Sequence, residues 1–199
     1  MSSTRERILD AAREILEKQH DVAPTMSSIA RAAGISRQAL YLHFPDRASL
    51  LVALVAHVDE REDLQAGLAH MDDAVDAAAQ IRAWAHMQSW RNPKIAPLAR
   101  ALDAARHTDL PASEAWRDRT DNRMRGAVAI AHRLREEGHL HSSWTVEEAA
   151  ALLWELTSFR VWDDLVNEAH LRPKRYVEII TSAALGAFTT PVARRKPRP

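Results

Sequence analysis

The chain has 199 residues and a mass of 22.4 kDa, of which 46% are hydrophobic and 27% are charged. This composition excludes collagen-like and intrinsically disordered chains, and five glycines are few for an all-β sandwich. The absence of cysteine excludes disulfides, cysteine-ligated zinc sites and thiol catalysis. Because we find no apolar run of about 18 residues and no secretory signal, we expect a cytoplasmic protein without a membrane span.

The net charge of zero conceals three segments of different charge. Residues 1–47 hold seven Lys and Arg against six Asp and Glu, and residues 48–190 hold 16 against 21. Residues 191–199, PVARRKPRP, hold four against none. An anionic partner is therefore expected to meet an end of the chain rather than its middle. The last nine residues are predicted to form a disordered basic tail.

Apolar residues at helical spacing predict a first helix close to the N-terminus. The residues from Ile8 to Leu16 follow the i, i+3, i+4, i+7 pattern of one buried helix face. Ser3 and Glu6 have the spacing of a capping box and are predicted to begin this helix.

Three further helices are predicted before residue 65. Thr25 and Ser36 are the predicted N-caps of two short helices, and Gly34 separates them. Asp46 is the predicted N-cap of a longer connecting helix over about residues 47–65.

The remaining sequence also has helical periodicity. Asn92-Pro93 and Leu110-Pro111 are predicted to interrupt it. Thr145 and Glu148 predict another capping box, and Pro173 suits the first turn of the last helix. The predicted helices cover about residues 74–91, 94–108, 112–137, 146–169 and 173–188. We find no β-alternating run, so the prediction is an all-α fold of about nine helices.

The second and third helices meet the physical requirements of a helix-turn-helix. Ala30 and Ala33 are small enough for two helices to cross closely, and Gly34 suits a turn at positive φ. Ile35 and Leu40 are expected to anchor the third helix. Residues 1–47 are therefore predicted to be a three-helix DNA-binding module, and residues 48–190 a larger helical domain.

The opposite face of the third helix is predicted to read DNA. A helical wheel places Gln38, Ala39 and Leu42 outward, with Arg37 and Tyr41 on one flank. Hydrogen-bonding side chains suit base edges, and an exposed apolar side chain suits a thymine methyl group.

At these residues the sequence resembles the TetR family of bacterial transcriptional regulators. The stretch from Thr25 to Phe44, TMSSIARAAGISRQALYLHF, is similar to the family's helix 2, turn and helix 3, and Pro-Asp-Arg47 to the entry to helix 4. The resemblance covers about residues 4–57. The remaining residues resemble the family only in length and helix count.

The resemblance implies a DNA contact for ten residues. Arg37 and Gln38 fall on the base-reading positions, and Leu42 falls where an apolar side chain touches a thymine methyl group. Tyr41 and His43 match phosphate-binding residues, as does the arginine that opens the fourth helix. The implied DNA-binding residues are Thr25, Ser27, Ser36, Arg37, Gln38, Ala39, Tyr41, Leu42, His43 and Arg47.

Several of these residues also have a structural interpretation. Thr25 and Ser36 cap helices whether or not they meet phosphate. Ser27 stands where relatives carry a long basic residue, so its contact is expected with phosphate rather than with a base. Tyr41 is alternatively a partly buried core aromatic, and His43 alternatively bonds to a backbone carbonyl.

All six tryptophans lie after residue 80, which favours a pocket or an interface there because each large indole also brings an N–H group. In the resembled family this domain binds a small effector and dimerises. The predicted contacts of an apolar or aromatic effector are Trp84, Met87, Gln88, Trp116, Met124 and Trp154. The alternative is that these residues only fill the core.

The last two predicted helices are more apolar than a monomer surface requires, and small residues on the final helix allow a second helix to approach closely. The resemblance implies a four-helix interface between two chains. The predicted interface residues are Leu152, Leu156, Phe159, Ile179, Ala183, Gly186 and Ala187. A monomeric core is the alternative.

These observations together predict a repressor that binds a near-palindromic operator as a homodimer and is released by a small effector. No cofactor, metal site or membrane partner is expected. No nucleophile–base set and no His-Glu-x-x-His motif occurs, so no enzymatic activity is predicted. An activator, an effector-independent regulator, and a small all-α enzyme carrying a DNA module are the alternatives.

Overall fold

The computed structural model describes residues 3–18, 24–61 and 73–189, and within them all regular structure is helical. A π-helical turn over Asp164–Glu168 follows the eighth helix. The described residues form nine α-helices: α1 (Thr4–Lys18), α2 (Met26–Ala32), α3 (Arg37–His43), α4 (Arg47–Arg61), α5 (Ala77–Ala105), α6 (Leu110–Glu136), α7 (Val146–Leu156), α8 (Phe159–Asp163) and α9 (Pro173–Thr189). The predicted all-α fold is confirmed. The predicted tail at 191–199 and the predicted end of the fourth helix lie outside the described residues.

Both predicted capping boxes are confirmed. The Ser3 N–H donates to Glu6 Oε2 at 2.6 Å, and the Glu6 N–H donates to Ser3 Oγ at 3.2 Å. The Thr145 N–H donates to Glu148 Oε2 at 2.8 Å, and the Glu148 N–H donates to Thr145 Oγ1 at 3.1 Å. Each box gives partners to two N–H groups that the start of a helix would otherwise leave unpaired.

The predicted break at Asn92-Pro93 is wrong, because α5 continues through it from Ala77 to Ala105. A proline inside a helix removes one N–H and so one hydrogen bond to the carbonyl four residues earlier. Here the helix has buried apolar residues on both sides of the proline, Trp84 and Ala85 before it and Ile95 and Leu98 after it. Their burial outweighs the lost hydrogen bond.

Leu110-Pro111 begins a helix rather than standing outside it. The Asp109 carboxylate accepts the Ala112 N–H at 3.0 Å and so acts as the cap of α6. Pro111 lies in the first turn, where a helix needs no N–H. The predicted start at residue 112 is therefore two residues late.

The predicted helix over 146–169 ends instead at Leu156. The Thr157 hydroxyl donates to the carbonyl of Leu153 at 2.7 Å, and Ser158 begins α8 by accepting the Val161 N–H at 3.1 Å. Hydroxyl side chains that bond to nearby backbone compete with helix continuation and favour a new N-cap.

The described helices form two compact units. The first unit contains α1 to α4, α5 from Lys94 onward, and α6 up to Arg119; the second contains α5 up to Pro93, α6 from Thr120, and α7 to α9. Each unit has its own hydrophobic core. The first core is built from residues such as Ile8, Ile29, Leu40, Leu51, Leu54, Leu98 and Leu102, and the second from Ile81, Trp84, Ile130, Leu134, Leu153, Ala184 and Phe188.

In the part of the chain that the structure describes, no single helix has both the length and the apolar character needed to cross a membrane. Only the bent pair of α3 and the first part of α4 satisfies that test on length and composition.

Candidate nucleic-acid interface and effector site

The back of α3 is fixed to the first core. Leu40 is fully buried and Phe44, directly after the helix, is 2% exposed. At the start of the helix, the Ser36 side chain accepts the Ala39 N–H at 3.1 Å, as predicted for an N-cap. A helix of only seven residues is marginal alone, so this anchoring and capping hold it in place.

The turn between α2 and α3 depends on Gly34. Its φ is +67°, a conformation that residues with a Cβ adopt only with strain. The turn is closed by two hydrogen bonds, from the Gly34 N–H to the Arg31 carbonyl at 3.2 Å and from the Ile35 N–H to the Ala30 carbonyl at 3.0 Å. The helix-turn-helix predicted from the sequence is therefore present.

The front of α3 is free. Leu42 is 84% exposed and Tyr41 is 42% exposed. Arg37, Gln38 and His43 are exposed as well, while Ala39 is half-buried. Within the described ranges, none of these polar side chains forms a hydrogen bond or an ion pair. The helix thus presents uncommitted hydrogen-bonding groups beside one exposed aliphatic side chain.

The remaining predicted DNA contacts flank this face at helix starts. Thr25 caps α2 by accepting the Ser28 N–H at 3.1 Å, and Ser27 is half-buried in the first turn. Arg47 opens α4, and its buried Nε has no hydrogen-bond partner among the described residues. Asp46 accepts the Ser49 N–H at 2.7 Å, a hydrogen bond that lowers the pKa of its carboxyl group.

One basic residue near this module was not predicted. The Arg5 guanidinium lies over the Phe44 ring at 5.1 Å from its centroid and so adds a cation–π contact at the end of α3. No local pattern in the sequence links α1 to this position.

In the second unit, Trp84 is packed against the backbone of α6. The indole is 3% exposed, and a Cβ added to Gly126 would lie 2.7 Å from the Trp84 Cζ3 atom. Gly126 is therefore small because the indole occupies the space of a side chain. The Trp84 Nε1 is buried and has no partner among the described residues.

Trp154 is paired with Arg123. The guanidinium lies 4.5 Å from the centroid of the indole and also donates to the Trp154 carbonyl, while the indole Nε1 donates to the Thr120 carbonyl at 3.1 Å. Burial lowers the pKa of Arg123 to about 10, and electrostatic interactions with Glu155 and Tyr176 act against that shift. The guanidinium therefore remains charged at neutral pH in a partly desolvated position.

Tyr176 was not predicted as a site residue. It is fully buried, its Oη has no hydrogen-bond partner in the described part of the chain, and burial raises the pKa of its hydroxyl. The hydroxyl is therefore neutral and available as a donor.

Periodicity contains the signal that identifies Arg123 and Tyr176. Arg123 is one turn before Ala127 on the buried face of α6, and Tyr176 begins the buried stripe that continues through Ile180 to Phe188. Each is a polar residue at a position where helical spacing requires an apolar one.

Five of the six predicted effector contacts belong to the second unit. Gln88 is buried beside Trp84 on α5, while Met87, Met124 and Trp154 are half-buried against the second core. Trp116 belongs elsewhere. It packs against the first core, with the Arg106 guanidinium 5.1 Å from its ring centroid, and so belongs to the first unit.

The predicted dimer residues divide into two groups. Leu152, Leu156 and Ala187 are half-buried against the second core, and Phe159 contacts Trp162 at a centroid distance of 5.8 Å. The other group forms an outward stripe on α9, with half-buried Ile179 and exposed Ala183 and Gly186. A Cβ added to Gly186 meets no heavy atom within 4 Å.

Comparison with known proteins supports the helix-turn-helix. Residues 8–54 match the family described as "Bacterial regulatory proteins, tetR family". The chain is 34% identical over 79 residues to the HTH-type transcriptional regulator TtgR of Pseudomonas putida, covering 40% of this chain and 38% of TtgR. It is 31% identical over 122 residues to the nucleoid occlusion factor SlmA of Vibrio campbellii, covering 59% of each. The matches thus span less than two thirds of these relatives.

Comparison with solved structures shows that nearly the whole chain has a known fold. The transcriptional regulator FadR of Bacillus subtilis, solved in complex with stearoyl-CoA, superposes with a TM-score of 0.67 at 15% sequence identity. The superposition covers 94% of this chain and 99% of that one. At this identity the likeness concerns the fold alone.

Proposed function

We propose that this chain is a DNA-binding transcriptional regulator of the TetR family, the family that residues 8–54 match. In this proposal residues 1–47 bind an operator, and residues 48–190 bind an effector and a second copy of the chain. The proposed regulator acts in the cytoplasm and catalyses no reaction.

The observation that carries this proposal is the contrast between the two sides of α3. Its back is locked by Leu40 and Phe44, whereas Leu42 on its front is 84% exposed. A folded chain gains nothing from an unpaired aliphatic side chain surrounded by free hydrogen-bonding groups. The major groove of DNA accommodates a helix and offers partners to both kinds of group.

Each side chain of the front has a role that fits its chemistry. Arg37 and Gln38, at the start of α3, donate to base edges, and Leu42 with Ala39 meets thymine methyl groups. Tyr41 and His43 donate to phosphates. The flanking Thr25, Ser27, Ser36 and Arg47 also meet the backbone of the DNA, where contacts fix register rather than sequence.

A homodimer suits this arrangement. The outward stripe of Ile179, Ala183 and Gly186 on α9 lets a second α9 approach closely, and Leu152, Leu156, Phe159 and Ala187 extend the same interface. A two-fold axis presents two copies of α3 to successive major grooves about 34–36 Å apart. The operator is then near-palindromic.

Release by a small effector is the proposed control. The second unit carries two half-buried methionines and several indoles, which adapt to apolar or aromatic molecules. FadR, of the same fold, holds stearoyl-CoA. The effector acts as an inducer of a repressor only if it binds the non-DNA-binding state more tightly than the other.

The likeness to SlmA favours one second candidate. That match extends over 122 residues, further than the match to TtgR. A DNA-binding nucleoid occlusion factor of this fold, without a small-molecule effector, is therefore the alternative function.

Selection of bound duplexes from a random DNA pool, with the full chain, tests the proposal. We expect enrichment of one sequence with two inverted half-sites, and loss of that enrichment in the double variant Arg37→Ala/Gln38→Ala. Recovery of DNA without any preferred sequence would contradict operator recognition by α3. Release of the selected duplex by small molecules then separates the two candidate functions.

A further inference from the structure

The second unit contains buried polar groups that its own fold leaves without partners. Trp84 and Tyr176 are 3% and 0% exposed, and both keep a polar atom unpaired among the described residues. Asn92, Trp162 and Thr181, also in this unit, each bury an unpaired nitrogen or hydroxyl oxygen. An unpaired buried polar atom costs stability, so such a concentration within one small unit is informative.

All of these orphaned groups are able to donate a hydrogen bond. An indole nitrogen and an amide nitrogen only donate, and a hydroxyl group donates or accepts. A molecule that satisfies them is therefore rich in acceptors. This requirement already separates carboxylates, phenolates and similar groups from amines.

Arg123 adds a charge to these donors. It is a half-buried guanidinium with no carboxylate within 4 Å among the residues described, and its recorded partners are the carbonyl and ring of Trp154. Glu155 influences Arg123 electrostatically but makes no ion pair with it. A desolvated guanidinium without a counter-ion favours an anion over any neutral ligand.

Three of these groups lie in one neighbourhood. Trp84 touches Gly126, and Gly126 is one turn beyond Arg123 on α6. Arg123 and Tyr176 are close enough to influence each other's pKa. The start of α9 is joined to α5 by the hydrogen bond from Ser89 Oγ to the Pro173 carbonyl at 3.4 Å.

We propose that the effector is an organic anion, a carboxylate or phenolate on an apolar body, whose charged group binds Arg123 and accepts hydrogen bonds from Tyr176 Oη and Trp84 Nε1. This inference rests on the proposed effector function and names its ligand class. The apolar body lies against the half-buried Met87 and Met124, flexible side chains that adjust to its shape.

Binding of matched ligand pairs to the full chain, without DNA, tests this assignment. The probes are aromatic and medium-chain alkyl carboxylates with their neutral amides, and dinitrophenols, which are ionised at neutral pH, with their methyl ethers. Tryptophan fluorescence reports binding directly, because Trp84 and Trp154 lie at the site. We expect at least one carboxylate or phenol to bind roughly tenfold more tightly than its neutral partner, as a charge-assisted hydrogen bond implies.

Substitutions test which residues cause the preference for anions over neutral ligands. Arg123→Gln is expected to reduce the acid-to-amide ratio to about one, and Tyr176→Phe to weaken the anion severalfold while leaving the amide unchanged. Arg82→Gln, at an exposed position on the same unit, is the matched control and is expected to retain the full ratio. If Arg123→Gln does not fold, the Tyr176→Phe and Trp84→Phe variants still measure the donor contribution.

Neutral ligands that bind as tightly as their acids, or an unchanged ratio in Arg123→Gln, would overturn the proposal. So would a panel in which no anion binds. If a neutral compound releases the operator and anions do not, the proposed regulatory function is supported and the proposal of an anionic effector is rejected. If anions bind through Arg123 without affecting DNA binding, the anion site is supported and its role in regulation is rejected.

Discussion

Trp84 occupies the position where Gly126 would otherwise carry a side chain, so the two residues form an interlocked contact between α5 and α6. Alanine at 126 gains about 1 kcal/mol in helix propensity over glycine. The added carbon nevertheless meets a rigid, buried ring at 2.7 Å from Cζ3, and overpacking of this kind costs about 1–3 kcal/mol. The clash is expected to outweigh the propensity.

We therefore expect Gly126→Ala to lower the free energy of unfolding by up to about 2 kcal/mol in urea titrations, the clash less the gain in propensity. The double variant Gly126→Ala/Trp84→Phe is expected to lose less than the sum of the single variants, because phenylalanine lacks the outer ring atoms. Ala129→Gly, at an exposed position of α6, is the control for helix propensity alone. Additive losses in the double variant would contradict the interlock.

Glu137 ties the end of α6 to the start of α5, and this tie is expected to depend on pH. Its carboxylate accepts the Ala77 N–H at 2.9 Å and the Arg133 Nε at 2.8 Å, and the Ala77 hydrogen bond is the main cause that lowers its pKa. A lowered pKa in the folded state stabilises the fold above the ordinary value of 4.5, and this contribution disappears as the pH falls below it.

Glu137→Gln is therefore expected to be less stable than the unchanged protein at pH 7, and the difference is expected to shrink as the pH falls through the lowered pKa of Glu137. Urea unfolding at a series of pH values measures it. Glu136→Gln, at the exposed neighbouring position, is the control and should show no such convergence. A difference that stays constant with pH would show that the carboxylate charge has no part in this contact.

Arg37 and Tyr41 are expected to affect DNA binding in different ways. Arg37→Ala should relax the preference at one operator position, at a cost of about 1–3 kcal/mol for the preferred base. Tyr41→Phe should weaken binding to all duplexes alike, because phosphate contacts are independent of sequence. Fluorescence anisotropy against a set of single-base operator variants distinguishes them, with Arg82→Ala as the control. Unchanged affinity in both variants would remove α3 from the interface.

Gly186 offers a test of the proposed dimer. Gly186 is exposed on α9, and a Cβ added there meets no heavy atom of the surrounding described residues within 4 Å, so the protomer carrying leucine should still fold. A second α9 packed against the stripe has no space for the added side chain. We expect Gly186→Leu to shift the protein from dimer to monomer in analytical ultracentrifugation. Ala129→Leu, at an exposed position on α6, is the control and should leave the dimer unchanged. A dimer that persists in Gly186→Leu would place the interface elsewhere.

The parts of the fold that were predicted correctly depend on residues close together in the chain. The caps at Ser3, Thr25, Ser36 and Thr145 each involve a side chain and an N–H three residues later, so spacing alone reveals them. The turn at Gly34 was also predictable because it depends on residues that are neighbours in the sequence. The break wrongly predicted at Asn92-Pro93 shows the limit, because the packing that carries α5 through the proline comes from distant segments.

The candidate effector site shows the same limit. The prediction was based on large aromatic residues, so it included Trp116, which packs in the first core. It missed Arg123 and Tyr176. Both missed residues occupy inward positions of amphipathic helices, where a polar side chain is out of pattern. Two features are visible only in three dimensions, because they depend on what other helices supply: among the described residues, Arg123 has no carboxylate partner and the Tyr176 hydroxyl has no hydrogen-bond partner.

The π-helical turn after α8 has a consequence for how the chain tolerates changes in length. Its Ala169 N–H reaches the Asp164 carbonyl, five residues back, at 2.8 Å, so the backbone accommodates one residue more than α-helical bonding would use. Such a turn is equivalent to a single-residue insertion in a helix. Removal of one codon between positions 165 and 167 would restore ordinary α-helical bonding, a shortening that the continuous helix of α6 does not permit.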